Sequence, residues 1–214
     1  AMGSMPATPF LYPITDRSLA DETDIRYIVE ALCRGGTRLI QLREKNITTR
    51  EYAEVARRCV EAARPFSAAI IINDRPDVAR YAGAAGVHLG DDELAAEDAR
   101  KFLGPDAIIG VSCHSIEDIQ RAQNEPIDYF AVGPVFPTDT KELRYEVVGL
   151  DFIKAARRMS NMPVVAIGGI SADTAASVVK AGADGIAVIG AAMRGDIERN
   201  TRVLIDALNA DKSD

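Results

Sequence analysis

Short apolar runs alternate with amphipathic stretches along the whole chain. Runs of three to five residues, rich in β-branched side chains, predict strands, and the stretches between them have the period of helices. The eight predicted strands cover residues 11–15, 39–42, 69–72, 87–89, 108–111, 129–132, 164–167 and 185–189. The predicted helices lie near residues 22–34, 49–63, 76–82, 94–102, 116–123, 150–158, 172–181 and 196–209.

This order of elements predicts an α/β fold, a single (β/α)₈ TIM barrel. About eight strand–helix units fit a barrel at the compact end of its size range, and strands that are apolar on both faces suit a parallel sheet covered by helices. An open doubly wound sheet is the alternative, but no glycine-rich dinucleotide turn follows the first strand. Without a linker-like or low-complexity tract, residues 5–214 are predicted to form one domain, and residues 1–4 are interpreted as a cloning scar.

Composition narrows the class of protein. The chain has 214 residues, 47% of them hydrophobic, which suits one globular domain with a sizeable core. It contains no apolar run long enough to span a membrane and nothing like a signal peptide. A net charge of −7 without a basic run argues against a nucleic-acid partner.

The number and spacing of the cysteines indicate the cellular compartment of the protein. Cys33, Cys59 and Cys113 are odd in number and widely spaced, which indicates buried free thiols in a reducing cytoplasm rather than disulfides or metal ligands. We therefore expect a cytoplasmic protein. A homodimer is possible, but the sequence does not determine the oligomeric state.

Polar residues and glycines follow nearly every predicted strand. In a barrel these strand ends converge on one mouth, where the chemistry of the fold takes place. The segments concerned are 15–17, 41–45, 73–75, 88–93, 112–114, 133–144, 168–170 and 189–191. The sequence therefore predicts a functional site at this mouth.

The segment after the second strand predicts an anion site. Gln41, Arg43 and Lys45 alternate along an extended chain and so face the same way, as three donors of which two are cationic. Such a set suits a diphosphate. The alternative is that Glu44 simply pairs with these charges at the rim.

Acidic residues follow the third and fourth strands. Asp74 and the run Asp91-Asp92-Glu93 would lie beside the cationic segment, where Mg²⁺ could bridge carboxylates to a diphosphate. The alternative for the acidic run is capping of the helix that begins near Leu94. Which residue of the run would join Asp74 stays open.

Glycines after the last two strands predict a second anion site. Gly168-Gly169 and Gly190 occupy the positions at which bare backbone amides approach a phosphate in barrels of this kind. A glycine pair alone could equally be a tight turn. His88 and His114 are interpreted as structural, and Cys113 has no evident base to activate it.

The motifs in this order resemble the thiamine phosphate synthase family over nearly the whole chain from Tyr12 to Ile189. They are QLREK (41–45), INDR (72–75), GVHLG (86–90), IGVSCH (109–114), GPVFPTDTK (133–141) and AIGGI (166–170). The resemblance implies a (β/α)₈ barrel that joins hydroxymethylpyrimidine diphosphate to a thiazole phosphate. Pyrophosphate is released and Mg²⁺ takes part.

The resemblance also assigns residues to the two substrates. Around the pyrimidine diphosphate it places Gln41, Arg43, Lys45, Asn73, Ser112 and Lys141. Around the thiazole phosphate it places Thr138, Thr140, Gly169, Ile189 and Gly190. Lys141, Arg43, Lys45 and Ser112 form the implied catalytic group, which stabilises a departing pyrophosphate without any protein nucleophile or base. Asp74 is the implied metal ligand.

One departure from the family pattern concerns the metal. The family usually reads GQ(D/E)DL where this chain has Gly90-Asp91-Asp92-Glu93-Leu94. Aligned through Leu94, the second metal ligand becomes Glu93, one methylene longer than the usual aspartate, and Asp91 replaces the glutamine. Asp92 could take the role instead if the loop shifts.

Two competing functions are considered. The thiazole tautomerase group uses the same barrel, but its pattern carries a histidine where this chain has Pro134 and does not need the full diphosphate cradle. A phosphate-binding barrel without catalysis would result if Glu93 had spoiled the metal site. A turnover assay with both substrates and Mg²⁺ separates these functions.

Overall fold

The computed structural model describes residues 5–139 and 145–210. Its strands are β1 (Phe10–Pro13), β2 (Leu39–Leu42), β3 (Ala69–Asn73), β4 (Gly86–Leu89), β5 (Ile108–Cys113), β6 (Tyr129–Val132), β7 (Val164–Ile167) and β8 (Gly185–Val188). Its helices are α1 (Ile25–Gly35), α2 (Thr49–Ala63), α3 (Pro76–Ala82), α4 (Ala96–Leu103), α5 (Ile116–Ala122), α6 (Gly149–Met159), α7 (Ala172–Lys180), α8 (Gly190–Met193) and α9 (Ile197–Asn209). Short 3₁₀ helices cover Arg17–Leu19 and Arg64–Phe66.

The strands form a closed parallel barrel. They pair in the order β1-β8-β7-β6-β5-β4-β3-β2. The seam between β1 and β2 is closed by a parallel bridge between Ile14 and Gln41, and the Thr15 amide donates to the Gln41 carbonyl at 2.9 Å. The predicted (β/α)₈ barrel is confirmed, because an open doubly wound sheet would leave two unpaired edges.

The predicted elements are all present, with small shifts at their ends. β1 ends at Pro13 rather than residue 15, and beyond it only Ile14 makes a bridge to β2. The helix predicted near residue 94 begins at Ala96, and its N-cap, Ala95, offers no side-chain hydrogen bond. The acidic run Asp91-Asp92-Glu93 therefore does not cap this helix. α8, a single turn at the start of the last connection, is not among the predicted helices.

Local signals explain where some helices begin. Ser115 and Asp118 form a capping box at α5: the Asp118 amide donates to Ser115 Oγ at 3.1 Å, and the Ser115 amide donates to the Asp118 carboxylate at 2.9 Å. Two of the orphan amides at the helix start are thereby satisfied, as the sequence predicts.

The barrel interior is filled by side chains that reach in from alternate strand positions. Tyr12 and Tyr129 are both buried there, and their rings meet edge to face with centroids 5.8 Å apart. Gly110 on β5 makes room for this pair, because a Cβ at that position would lie 2.0 Å from the Tyr129 Cζ atom. The interior is therefore a packed core whose upper layer opens into the mouth.

The three cysteines, Cys33, Cys59 and Cys113, are free and buried, as the sequence predicts. Among the residues that the structure describes, no helix combines the length and apolar character that crossing a membrane requires.

Candidate active site

A cleft of about 1090 Å³ opens at the carboxyl ends of the strands. It is lined by every predicted site residue within the described part of the chain, namely Gln41, Arg43, Lys45, Asn73, Asp74, Glu93, Ser112, Thr138, Gly169, Ile189 and Gly190. The predicted Thr140 and Lys141 lie outside the described residues. Closure of the barrel has thus brought together side chains from β2 through β8, while the role of each one stays a prediction.

Of the three charged residues that follow β2, the two cations lie at the cleft and the carboxylate lies away from it. Arg43 and Lys45 line the cleft, whereas Glu44 pairs with Arg17 at 2.5 Å and its side chain is only 5% exposed. The second carboxylate oxygen of Glu44 is buried without a hydrogen-bond partner among the described residues. Glu44 therefore pairs with neither cleft cation, contrary to the alternative in which it neutralises them at the rim.

Arg43 is positioned by the segment that follows β1. Its amide donates to Thr15 Oγ1 at 3.1 Å, and its guanidinium lies 3.6 Å from the Asp16 carboxylate. These contacts, with the Arg17–Glu44 ion pair, join the β1 and β2 ends above the seam that the Ile14 bridge closes. The same contacts hold the Arg43 guanidinium at the cleft wall.

Asp74 occupies a strained position directly after β3. Its backbone lies in the left-handed region with φ 64°, which is uncommon outside glycine and tends to occur at functional sites. One carboxylate oxygen accepts from Asn73 Nδ2 at 3.0 Å, and the other accepts from Lys45 Nζ at 3.0 Å. Each oxygen keeps a further lone pair, so Asp74 can contact a cation as well.

The acidic run after β4 divides into separate roles. An atom at the Cβ position of Gly90 would lie 3.7 Å from Asp74 Oδ1 and 3.8 Å from Glu93 Cγ, so these two carboxyl side chains flank the same glycine. Partial desolvation and then the charge of Asp74 raise the pKa of Glu93. Asp91 instead accepts a short hydrogen bond from the Tyr145 hydroxyl.

Asp74 and Glu93 suit a small hard cation. The described residues hold no group of three or more side chains that could ligate a metal by themselves. Mg²⁺ commonly takes one or two carboxylates and completes its shell with water and substrate phosphate oxygens. A pair of repelling carboxylates beside Arg43 and Lys45 therefore fits Mg²⁺ held jointly by protein and diphosphate.

The opposite wall of the cleft is built from backbone. Gly169 has φ 63°, and a Cβ there would lie 2.4 Å from the Pro137 carbonyl oxygen, so only glycine lets the chain before Thr138 approach this closely. The amides of Gly169 and Gly190 have no hydrogen-bond acceptor among the described residues. A phosphate could accept from both.

The floor of the cleft carries a chain of hydrogen bonds. Gln41 Nε2 donates to the Tyr12 hydroxyl at 3.1 Å, and the Tyr12 and Tyr129 hydroxyls are 2.7 Å apart. His88 Nδ1 lies 2.9 Å from the Tyr129 hydroxyl, and His88 Nε2 lies 3.0 Å from Ser112 Oγ. Both ring nitrogens of His88 are therefore engaged in hydrogen bonds.

His114 is also held by its surroundings. Its Nδ1 donates to the Gly133 carbonyl at 2.7 Å, and its ring stacks on Tyr145 with centroids 3.6 Å apart. Its Nε2 lies 3.8 Å from the Asp91 carboxylate. His114, Tyr145 and Asp91 together link the segments that follow β4, β5 and β6.

Tyr12, Tyr129 and Tyr145 take part in the site but were not predicted from the sequence, and for Asp16 only its segment (15–17) was predicted, not its contact with Arg43. For Tyr12 and Tyr129 a signal existed, since a tyrosine within an apolar inward-facing strand needs a partner for its hydroxyl. Asp16 follows the first strand among other polar residues. Nothing local marks Tyr145, because its partners come from distant segments.

Comparison with known proteins identifies similar chains. A sequence model of the family described as thiamine monophosphate synthase matches residues 11–192. A curated thiamine-phosphate synthase of Caldanaerobacter subterraneus subsp. tengcongensis is 41% identical over 196 residues, which cover 91% of each chain. One from Natronomonas pharaonis is 44% identical over 184 residues, 85% of this chain and 86% of that protein.

A solved structure has the same overall fold. The thiamine phosphate pyrophosphorylase of Pyrococcus furiosus superposes with a TM-score of 0.85 at 38% identity. The match covers 94% of this chain and 96% of that one. The two chains therefore share the same fold over most of their lengths.

Proposed function

The chain belongs to the thiamine monophosphate synthase family, and on this basis we propose the reaction that its cleft performs. It is a transferase that joins 4-amino-2-methyl-5-hydroxymethylpyrimidine diphosphate to 4-methyl-5-(2-hydroxyethyl)thiazole phosphate, giving thiamine phosphate and pyrophosphate. The observation that carries the proposal is a cleft with two facing anion sites. Arg43 and Lys45 form the cationic site, and the amides of Gly169 and Gly190 form the other.

The two anion sites differ in build, and so they suit different phosphates. A diphosphate that leaves with its bonding electrons gains negative charge, and the cationic side chains of Arg43 and Lys45 can neutralise that charge. A phosphate that only anchors a substrate gains no charge during the reaction. Fixed backbone amides and the Thr138 side chain are sufficient to bind it. We therefore assign the pyrimidine diphosphate to the first site and the thiazole phosphate to the second.

The bond changes need no acid, base or nucleophile from the protein. The carbon–oxygen bond to the diphosphate breaks first, and the thiazole nitrogen then attacks the exposed pyrimidine methylene carbon with its lone pair. His88 has both nitrogens engaged in hydrogen bonds, and burial raises the pKa of the Cys113 thiol to about 12. Among the residues that line the cleft, Ser112 would therefore act as a donor that stabilises charge. Lys141, outside the described residues, is assigned the same role from the resemblance.

Asp74 and Glu93 would hold Mg²⁺ against the diphosphate. When bound, the cation would neutralise phosphate charge and make pyrophosphate a better leaving group. Glu93, not Asp92, is the second ligand in this proposal. The Glu93 and Asp74 side chains both lie beside Gly90, whereas among the described residues no such contact places Asp92 there. We expect the enzyme to work in the cytoplasm, where its three thiols stay reduced.

Two substitutions test the assignment of the two phosphates. Arg43→Ala should mainly weaken the pyrimidine diphosphate and Thr138→Ala mainly the thiazole phosphate, measured by titration calorimetry of each variant with each ligand. Arg58→Ala, on the exposed outer part of α2, is the matched control for loss of an arginine. Equal losses for both ligands in both variants would contradict the assignment.

Turnover of the unmodified protein tests the reaction itself. Formation of thiamine phosphate and pyrophosphate from the two substrates with Mg²⁺ is the expected result. Isomerisation of the thiazole without pyrophosphate release would instead identify a tautomerase. Tight binding of both substrates without product would identify a binding protein.

A further inference from the structure

The hydrogen-bond chain on the cleft floor has one favoured direction. Gln41 Nε2 donates to the Tyr12 oxygen, so the Tyr12 proton must go elsewhere, and the Tyr129 oxygen, 2.7 Å away, is the acceptor that the described residues provide. Tyr129 then donates its own proton to His88 Nδ1. A neutral imidazole that accepts at Nδ1 carries its proton on Nε2 and donates it to Ser112 Oγ.

The opposite direction would leave a buried donor unpaired. If His88 Nδ1 donated to Tyr129 and Tyr129 donated to Tyr12, the Tyr12 oxygen would receive two donors and its proton would have no acceptor among the described residues. Tyr12 and Tyr129 are buried, where an unpaired hydroxyl is costly. Burial also raises the pKa of both phenols, so each contributes one proton at neutral pH.

The direction of this chain decides what Ser112 offers to the cleft. Because Ser112 Oγ accepts from His88, its own proton is not used in that contact. No acceptor for that proton lies among the described residues. Ser112 lines the cleft, so its hydroxyl can donate to a ligand there. In the reverse direction Ser112 would donate to His88 and present only lone pairs.

We propose that Tyr129 and His88 are positioning residues that fix the polarity of Ser112, so that its hydroxyl donates toward the departing pyrophosphate. This inference rests on the proposed function. A donor that is already oriented costs no reorganisation when negative charge develops, which is the condition for stabilising a transition state. Gln41 sets the direction of donation at one end of the hydrogen-bond chain. Ser112, at the other end and across the barrel, is left with its proton available to the ligand.

A double-mutant cycle tests the proposal. Tyr129→Phe keeps the ring in place but removes the hydroxyl that donates to His88. It should lower kcat roughly tenfold, less than the ~10²–10³ lost with a whole preorganised donor, and leave KM nearly unchanged. In the Ser112→Ala background the same change should cause no further loss, because its effect passes through Ser112.

Tyr52→Phe is the matched control for the cycle. Tyr52 is a buried tyrosine whose hydroxyl donates to the Leu42 carbonyl at 2.7 Å, outside the chain on the floor. Whatever effect Tyr52→Phe has should be the same with and without Ser112→Ala. Thermal unfolding of each variant shows that the barrel is intact.

A second pair of variants checks His88 directly. A glutamine side chain can bring its amide nitrogen to the place of Nε2 and still donate to Ser112, whereas an asparagine is too short. His88→Gln should therefore keep more of kcat than His88→Asn. Equal activity of these two variants would overturn the proposal, as would an equal loss from Tyr129→Phe in both Ser112 backgrounds.

The same four proteins of the cycle are also titrated with inorganic pyrophosphate by calorimetry, which measures their affinity for it. Tyr129→Phe should weaken that affinity severalfold only when Ser112 is present. This readout does not depend on turnover, so failure of the proposed reaction is distinguishable from failure of the proposed polarity. Equal weakening in both backgrounds would mean that Tyr129 acts on the fold and not on Ser112.

Discussion

Replacement of Glu93 by glutamine should separate its role from that of its neighbour Asp92. Glu93→Gln keeps the size of the side chain and removes its charge, and Asp92→Asn is the matched control one residue away. In the structure the side chains of Glu93 and Asp74 both lie beside Gly90. The charge of Asp74 contributes to raising the pKa of Glu93. We therefore expect the first variant to need more Mg²⁺ for half-maximal rate and the second to need little more than the unmodified protein.

The magnitude follows from the lost attraction between the carboxylate and the cation. A divalent ion and a unit negative charge about 4 Å apart attract by roughly 2 kcal/mol even in a medium as polar as water. This corresponds to a change of about thirtyfold in the Mg²⁺ concentration at half-maximal rate. Water is the appropriate medium because Glu93 is exposed at the mouth.

A second consequence concerns the metal-free protein. A carboxyl whose pKa is raised on folding holds its proton more tightly in the folded state, so above its unfolded pKa its ionisation opposes folding. At neutral pH without Mg²⁺, Glu93→Gln should therefore raise the unfolding temperature slightly, and this gain should disappear as the pH falls below the unfolded pKa.

The assay is initial rate against Mg²⁺ concentration at saturating substrates, with thermal unfolding of each variant in chelator. If Asp92→Asn has the larger Mg²⁺ effect, the loop has placed Asp92 at the metal and the reasoning from Gly90 is refuted. Asp74→Asn should be severe in either case. If it kept both its rate and its Mg²⁺ requirement, the metal site would be misplaced.

Three further predictions concern the loop, the core and the thiols. Lys141 lies outside the described residues, and Lys141→Ala should lower turnover by ~10²–10³ because one donor to the pyrophosphate is lost. The unfolding temperature of the variant should be unchanged, and near-normal turnover would contradict the role assigned to Lys141. Gly110→Ala should destabilise the fold by at least about 3 kcal/mol in urea denaturation, since its Cβ would lie 2.0 Å from the Tyr129 ring; an unchanged midpoint would contradict the packing. Burial raises the pKa of Cys59, so a thiol reagent should label it only after unfolding, and rapid labelling of the native protein would show that it is accessible.

The sequence by itself determined the architecture and most of the cleft. Apolar runs at the spacing of β-α units predict the barrel, and the rule that strand ends converge then gathers Arg43, Asp74, Ser112 and Gly169 at one mouth. This inference needs no knowledge of particular contacts, because the hydrophobic period of each strand and helix is a local property and their alternating order favours parallel pairing. The alternation along QLREK likewise places Arg43 and Lys45 on one face.

Only the tertiary structure decided which side chains meet across the barrel. Tyr12 and Tyr129 are 117 residues apart, and their contact depends on barrel closure and on the space left by Gly110. The division of the acidic run depends on the path of an irregular loop: Asp91 meets Tyr145, and Glu93 turns toward Asp74. A loop has no repeating period, so its side-chain directions are set by distant partners that a single sequence does not reveal.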